Sequence, residues 1–372
     1  MTVVLPEINF MTTDPLELSE EIIKTYEGFE SRKLAQADPL RLIFLSFASV
    51  ITKQNIKIND AAKQNLLYYS RDEVLDHKGA EWDTPRLKEK AATTVLRMHL
   101  STPLSSSKII KKGELLATSN EGAIFFTSTK DVAIEIGAMT VEIPLQCTIA
   151  GIEGNGFAIG QINTLVKPLP YIDFVENITM TDGGAEREMN DAYRERVYLA
   201  PESLSNAGSE GAYKYFAKSA STLISDVYVY SPAPGHTDIK ILLANGRLPT
   251  QEIIEAVHEK VNAREVRPLT DLVTVGAPEI IPYDLDITYY IETNAIDKTL
   301  LHQRVERAIA DYETWQSSKI GRDLNPSKLI SDCIRAGAKR VDVGSPEFTI
   351  VERGQVAVLQ TKNVTFGGVE DD

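Results

Sequence analysis

Residues 181–246 read TDGGAEREMNDAYRERVYLAPESLSNAGSEGAYKYFAKSASTLISDVYVYSPAPGHTDIKILLANG, and the period of their apolar positions changes along the run. The Gly183-Gly184 pair opens it, where missing Cβ atoms let the backbone turn. Residues 186–198 predict a helix, with Met189, Tyr193 and Val197 spaced along one face. Arg187 with Asp191, and Asp191 with Arg194, fall at helix-pair spacing and lend small support at the surface. Pro201 closes that helix. Ser209 then offers a cap to a second one, striped by Tyr213, Phe216, Ala217 and Ala220. Beyond Ser221 the pattern alternates as a half-buried strand does, with Val227 and Val229 set against Asp226, Tyr228 and Tyr230. Pro234-Gly235 makes a turn, and Ile239, Ile241 and Leu243 return. A helix carrying Ile253, Ile254, Val257 and Val261, then a strand ending at Pro278, completes an α/β module over 181–278.

Working upstream, residues 86–180 carry short alternating runs. Val95, Arg97, His99 and Ser101 alternate around Leu96, Met98 and Leu100, and Gly113, Gly122, Gly137 and Gly151 punctuate the runs that follow. A compact β-rich domain is expected there. Residues 1–85 read as helical and bundle-forming, with Asp14-Pro15 and Asp38-Pro39 as cap-then-first-turn signals. Leu18, Ile22, Ile23, Tyr26 and Phe29 form an amphipathic face. LRLIFLSFASVI, residues 40–51, is apolar on nearly every side, which argues for burial all round. Either it is the core of a small helical domain, or Leu42, Phe44, Leu45, Phe47, Val50 and Ile51 dock into a bundle with other subunits.

Downstream, residues 279–372 read as a second α/β module. It has a strand at 285–291, a helix at 300–315 and a shorter helix with Asn325 as cap and Pro326 in its first turn. A strand at 340–343 follows, then a terminal hairpin over 348–351 and 356–360, and a frayed GGVEDD tail. Residues 226–232 and 341–346 both run from a valine-rich strand into Ser-Pro, through duplication or chance. The fold class is therefore α+β and multidomain: an N-terminal helical region, a small central β domain and C-terminal α/β modules.

At 372 residues, 43% hydrophobic and 25% charged, the chain can bury real cores. Its 39 basic and 53 acidic residues give a net charge of −14, with no basic cluster to grip nucleic acid. That balance fits solubility and protein partners. Cys147 and Cys333 rule out a disulfide framework and read as two buried free thiols. The amino terminus lacks the basic start and apolar core of a signal peptide. The most apolar run is broken by Ser46 and Ser49 and falls far short of the ~20 residues that cross a bilayer, so membrane insertion is not expected. The chain is expected to be made and kept in cytosol, or assembled there before release.

No catalytic, cofactor or metal residue stands out. Gly154, Gly156 and Gly160 nearly spell a dinucleotide fingerprint, but they lie among strands with no helix to receive a pyrophosphate, and read as turns. His77, His99, His236, His258 and His302 have no zinc-site spacing. Neither a serine elbow nor a calcium loop occurs. Asp284 and Asp286 share one side of a strand and in principle flank a glycosidic bond, although a solvated edge accounts for them equally. Glu186, Glu188 and Asp191 read as a solvated helix face or a contact for a basic partner. Tyr228 and Tyr230, opposite Val227 and Val229, become interface candidates if they are exposed.

GGAEREMNDAYRER at 183–196, GSEGAYKYFAKSA at 208–220 and DVYVYSPAPG at 226–235 together resemble the baseplate J-like family of contractile phage tails and related contractile injection particles, bacteriocin-like ones included. Asn59, ahead of an alanine-rich helix, with Leu75, Asp76 and Gly79 as L-D-x-x-G, resembles the family's helical entry. Residues 111–128 and 151–177 resemble its glycine-rich strands. The resemblance implies a structural wedge subunit that forms the baseplate ring around the tail tube and relays host contact to sheath contraction, with no enzymatic activity and no cofactor. It implies as partners a second copy of the chain, a smaller helical wedge protein, and other baseplate, tube-hub and sheath-initiating proteins. Nucleic acid is not among them. It places the chain in the virion tail baseplate, assembled in the host bacterial cytoplasm. The alternative is a soluble carbohydrate hydrolase using Asp284 and Asp286.

Overall fold

The structure is a computed structural model that describes residues 6–371 apart from 31–32, 120–121, 123, 206–207, 265, 269 and 295–296. It is an α+β, multidomain protein: N-terminal helices, a central β domain and C-terminal mixed α/β elements. Two compact units are formed, Met1–Pro85 with Tyr193–Tyr198, and Arg86–Ala192 with Leu199–Asp372.

The first unit contains α1 (Pro15–Glu30), α2 (Pro39–Gln64) and α3 (Asp72–Ala80). Both aspartate-proline signals work as expected. The Asp14 carboxylate accepts from the Leu16 amide at 2.8 Å and Asp38 from Leu40 at 3.0 Å, covering donors that a helix start leaves unpaired. Leu18 and Ile23 of α1 are buried, and the Tyr26 ring lies 5.1 Å from that of Phe44 on α2. The expectation that α2 is buried all round is not met. Its buried residues are Ala48, Thr52, Asn55 and Asn59, while Leu42, Ile43, Phe47, Val50 and Ile51 are exposed.

Asn59 also departs from its expected place ahead of a helix, because α2 runs straight through it. Its amide accepts from the Phe10 and Met11 N–H groups and donates to the Met11 carbonyl, at 2.8–2.9 Å. One turn earlier, Asn55 donates to the Thr12 carbonyl at 2.8 Å. The two asparagines thus satisfy the backbone of an extended segment laid along α2, as buried polar groups require.

In the second unit, β1 (Ala91–Leu100), β3 (Leu115–Ser119), β4 (Phe125–Ser128), β6 (Thr140–Ala150), β7 (Ile162–Leu165) and β8 (Ile172–Asn177) form an antiparallel sheet in the order β7-β3-β4-β6-β1-β8. The short strands β2 (Lys108–Ile110) and β5 (Val132–Ile134) pair separately. Along β1 burial alternates residue by residue, as its sequence predicts. Leu96, Met98, Phe126, Ile143, Leu145 and Ile162 fill the interior. The buried Asn177 closes the sheet toward a barrel: from the end of β8 it accepts from the Ile162 amide at the start of β7, at 2.8 Å. Its NH2 group donates to Ala158 and Thr179.

Most of α4 (Asn190–Leu199) belongs to the first unit through Tyr193–Tyr198, and the next module of the second unit has α5 (Glu210–Lys218), β9 (Ile224–Ala233), β10 (His236–Leu243), α6 (Gln251–Val261) and β11 (Leu272–Gly276). Ser209 caps α5 through the Ala212 amide at 3.1 Å, and β9 and β10 form the expected hairpin, with β11 parallel to β10. Tyr213, Ala217, Ile239, Ile241 and Val257 make the core between helices and sheet. The Tyr213 hydroxyl donates to Asp271 at 3.0 Å, and burial followed by that bond pushes the phenol up to about 12. The folded state therefore favours the protonated phenol. Its contribution is intact below the unfolded value of about 10 and is lost as pH rises through 12. The urea midpoint is expected to fall between pH 10 and 12, and Tyr213→Phe to remove part of that slope.

The last module comprises β12 (Glu279–Glu292), α7 (Lys298–Ser317), α8 (Pro326–Ala336), β13 (Arg340–Ser345) and β14 (Gln355–Glu370), with sheet order β13-β12-β14. Asn325 caps α8 by accepting from Ser327 at 3.0 Å. The expected terminal hairpin is replaced, and the expected frayed tail is strand over Gly367–Glu370, with Asp371 outside it and Asp372 beyond the described residues. Phe348–Val351 is not a strand, and Gln355–Glu370 instead runs parallel to β12 along its length. Two contacts hold the end in place: Arg340 grips Glu370 with two hydrogen bonds, and Gly367 makes room for the Tyr290 ring, which a Cβ would approach to 2.4 Å. This module and the preceding one share a plan of three strands with helices but not a chain path, since the central strand is second in one and first in the other. Cys147 and Cys333 are free and buried, and burial pushes the Cys333 thiol up to about 11. Neither is expected to react with an aromatic disulfide reagent until the chain is unfolded.

Candidate protein-interaction surface

The motif residues at 183–196 prove to be internal fasteners. Tyr193 is fully buried with Leu75 and Val197, and its hydroxyl donates to the Thr84 carbonyl at 2.7 Å. Arg194 donates to the Ser70 carbonyl at 2.8 Å and Arg196 to that of Pro85 at 2.7 Å. Gly79 of the L-D-x-x-G run lies against the Tyr193 hydroxyl, where a Cβ would come within 1.8 Å of the oxygen. Met189 was expected to extend this face but precedes α4 and is exposed.

Of the glutamates read as solvated, Glu188 is instead buried and accepts from the Leu87 amide at 2.9 Å, while Glu186 is exposed as expected and accepts from the Ile152 amide at 3.1 Å. Gly151, at φ +115°, lies beneath the Glu186 carboxylate, which a Cβ would meet at 2.5 Å. Their placement follows from partners more than thirty residues away, and local spacing carries no such signal.

The exposed apolar surface concentrates on α2. Leu42 is 70% exposed, Phe47 57% and Val50 56%, while Leu45 and Ile51 are also exposed and Phe44 is half-buried. Ile43, Phe47, Val50, Ile51 and Ile58 recur at spacings that keep them on one side of the helix, away from the stripe of Ala48, Thr52, Asn55 and Asn59. A groove of about 470 Å³ runs beside it, lined by Leu18, Ile22, Tyr26, Phe29 and Ile51 with Glu21 and Thr25. Tyr228 and Tyr230 are half-buried rather than fully exposed. Tyr228 packs against Leu242, Ile320 and Val356 where the two α/β modules meet, and Tyr230 donates to Asp238 at 2.7 Å.

The remaining chemical candidates are engaged locally. Asp284 accepts from the Thr361 hydroxyl and Asp286 from the Asn363 amide across β12 and β14, and both carboxylates are exposed. Neither lines the grooves of about 310, 510 and 470 Å³ among the described residues. Gly156 and Gly160 have φ of +87° and +82° in the connection between β6 and β7, as turns require. His302 hydrogen-bonds Tyr289 at 2.8 Å. Among the described residues no group of His, Cys, Asp or Glu side chains is arranged to hold a metal, and no helix is long and apolar enough to cross a membrane.

Comparison with known proteins matches the β domain and the module that follows it. Residues 96–184 match the Baseplate J-like protein barrel domain, and residues 205–277 match the Baseplate J-like central domain. The chain is 30% identical over 198 residues to baseplate protein J of Escherichia phage P2, covering 53% of this chain and 65% of that protein. It is 26% identical over 213 residues to the putative baseplate protein gp29 of Haemophilus phage HP1, covering 54% and 53% respectively. The chain thus spans less than two thirds of either relative. Among solved structures it is similar to a chain of the six-fold symmetrised cryo-EM anti-feeding prophage baseplate, at 12% identity and a TM-score of 0.42, covering 92% of this chain and 90% of that one.

Proposed function

We propose, from the premise that the chain belongs to the baseplate J-like family, that it is a non-enzymatic wedge subunit of a contractile tail baseplate. In this reading it forms the ring around the tube and relays host contact to sheath contraction. The observation that carries it is the inverted α2: polar residues buried, and Ile43, Phe47, Val50 and Ile51 turned to solvent. A helix stable in water as a monomer does the opposite, and an apolar stripe of this extent marks a protein interface.

Residues 1–85 would supply helices to a bundle shared with a second copy and a smaller helical wedge partner. The β-rich domain at 86–180 and the α/β modules at 181–278 and 279–372 would bear contacts to neighbouring wedges, tube-hub and sheath-initiating proteins. Leu42, Phe44, Leu45, Phe47, Val50 and Ile51 are the proposed bundle contacts; Tyr228 and Tyr230 would act through the seam and sheet they brace. Packed interfaces of this kind switch between discrete arrangements, which is what a ring that widens on contact requires. The site of action would be the virion tail baseplate, after assembly in the host cytoplasm.

Size-exclusion chromatography of the chain co-expressed with the tail proteins of its own particle tests the reading. Co-elution in a stoichiometric complex is expected. A monodisperse monomer that binds none of them sinks it.

A further inference from the structure

β14 is an edge strand of its sheet. β14 is bonded to β12 on one side, and no strand pairs with its other side among the described residues. An edge presents a row of unpaired N–H and C=O groups that another chain can meet, and proteins usually blunt it. Here bulges occur at two points, and the single charged side chain between them, Lys362, is drawn onto Glu313. The register with β12 slips at Gln360 and again at Gly367, where β14 carries an extra residue. Such bulges interrupt pairing. Between them, Thr361–Phe366 matches Asp284–Tyr289 residue for residue, leaving a regular six-residue window.

A groove lies beside that same window. It has a volume of about 310 Å³ and is lined by Lys362, Val364 and Phe366 of β14, Tyr289 of β12, and Glu306 and Ile309 of α7. Alternate residues of the open strand thus form one wall and a helix forms the other, the arrangement in which an added strand gains affinity from its main chain and specificity from every second side chain. Charge narrows the occupant. Lys362 is already paired with Glu313 at 2.5 Å. Glu306 has no ion-pair partner among the described residues, so the groove holds one uncompensated carboxylate beside apolar and aromatic walls. A basic side chain with an aliphatic stem suits both surfaces.

We propose that the β14 edge between Gln360 and Gly367 receives an extended segment of another polypeptide as a fourth strand, apolar on its groove-facing positions and with a lysine or arginine against Glu306. This surface is separate from α2 and does not depend on the wedge assignment.

The probe is a fluorescein-labelled hexapeptide, acetyl-Val-Thr-Arg-Thr-Val-Thr-amide, whose first, third and fifth side chains face the groove, titrated against the full chain by anisotropy. Saturable binding is expected, weakened about tenfold by Glu306→Gln through loss of one charge-assisted contact. N-methylating the peptide amides that face β14 should abolish binding, while N-methylating the intervening set should leave it intact. That comparison leaves the protein unaltered, so misfolding cannot mimic it. No saturable binding up to about 1 mM, or binding indifferent to both methylation patterns and to Glu306→Gln, overturns the proposal.

Discussion

Gly79→Ala is expected to destabilise the helical unit by about 3 kcal/mol, among the larger costs of adding one methyl group. The new Cβ would lie 1.8 Å from the Tyr193 hydroxyl oxygen and 2.6 Å from the Thr84 carbonyl oxygen, both far inside contact distance. Tyr193 has no free volume to retreat into, since it is fully buried against Leu75 and Val197. Moving its hydroxyl breaks the 2.7 Å bond to Thr84, at about 1 kcal/mol. Forcing the backbone aside adds overpacking strain of about 1–3 kcal/mol.

Tyr193→Phe supplies the control, because it loses the hydrogen bond without a clash and should cost only about 1 kcal/mol. In the double variant the worst collision is gone, although the Thr84 carbonyl still crowds the Cβ. The two changes should therefore cost clearly less together than their sum. Urea unfolding of the four proteins reads the cycle. A Gly79→Ala protein within about 0.5 kcal/mol of the parent would mean that this packing is not tight in solution.

That pair shows where a sequence is legible and where it is not. Ser209, Asp14, Asp38 and Asn325 could be placed as caps because a cap and its amide lie within three residues of each other. The β9–β10 hairpin was readable for the same reason, from strict alternation around Pro234-Gly235. Gly79 and Tyr193 are 114 positions apart, and nothing local to either says that one exists to admit the other. Glu188 likewise reads as a surface charge until the Leu87 amide arrives from another segment. β14 misled for a further reason. GGVEDD has the composition of a loose end, but over Gly367–Glu370 long-range parallel pairing with β12 and the Arg340 clamp override it.

Of the two readings of α2, the structure rules out only burial within this chain. An all-round apolar run signals burial, and periodicity cannot say whether the covering surface belongs to the same chain. In this fold the intramolecular side of α2 is the polar one, because Asn55 and Asn59 are committed to the backbone of residues 10–12.

The double substitution Phe47→Glu, Val50→Glu tests that distinction with opposite signs for the two readings. Were these side chains core, two carboxylates would be buried without partners, and the unit would fail to fold. At 57% and 56% exposure they face water in the single chain, so unfolding free energy should move by no more than about 0.5 kcal/mol for each. Association should change far more. Glutamates at the centre of a helical seam lose two apolar anchors and leave desolvated charges, together costing at least about 4 kcal/mol, or a thousandfold in affinity. The variant should therefore be more soluble alone, equally stable to urea, and absent from the complex that the parent chain forms with its tail proteins. Retained co-elution alongside unchanged stability would show that the partners bind elsewhere and that this face of α2 is not what the assembly covers.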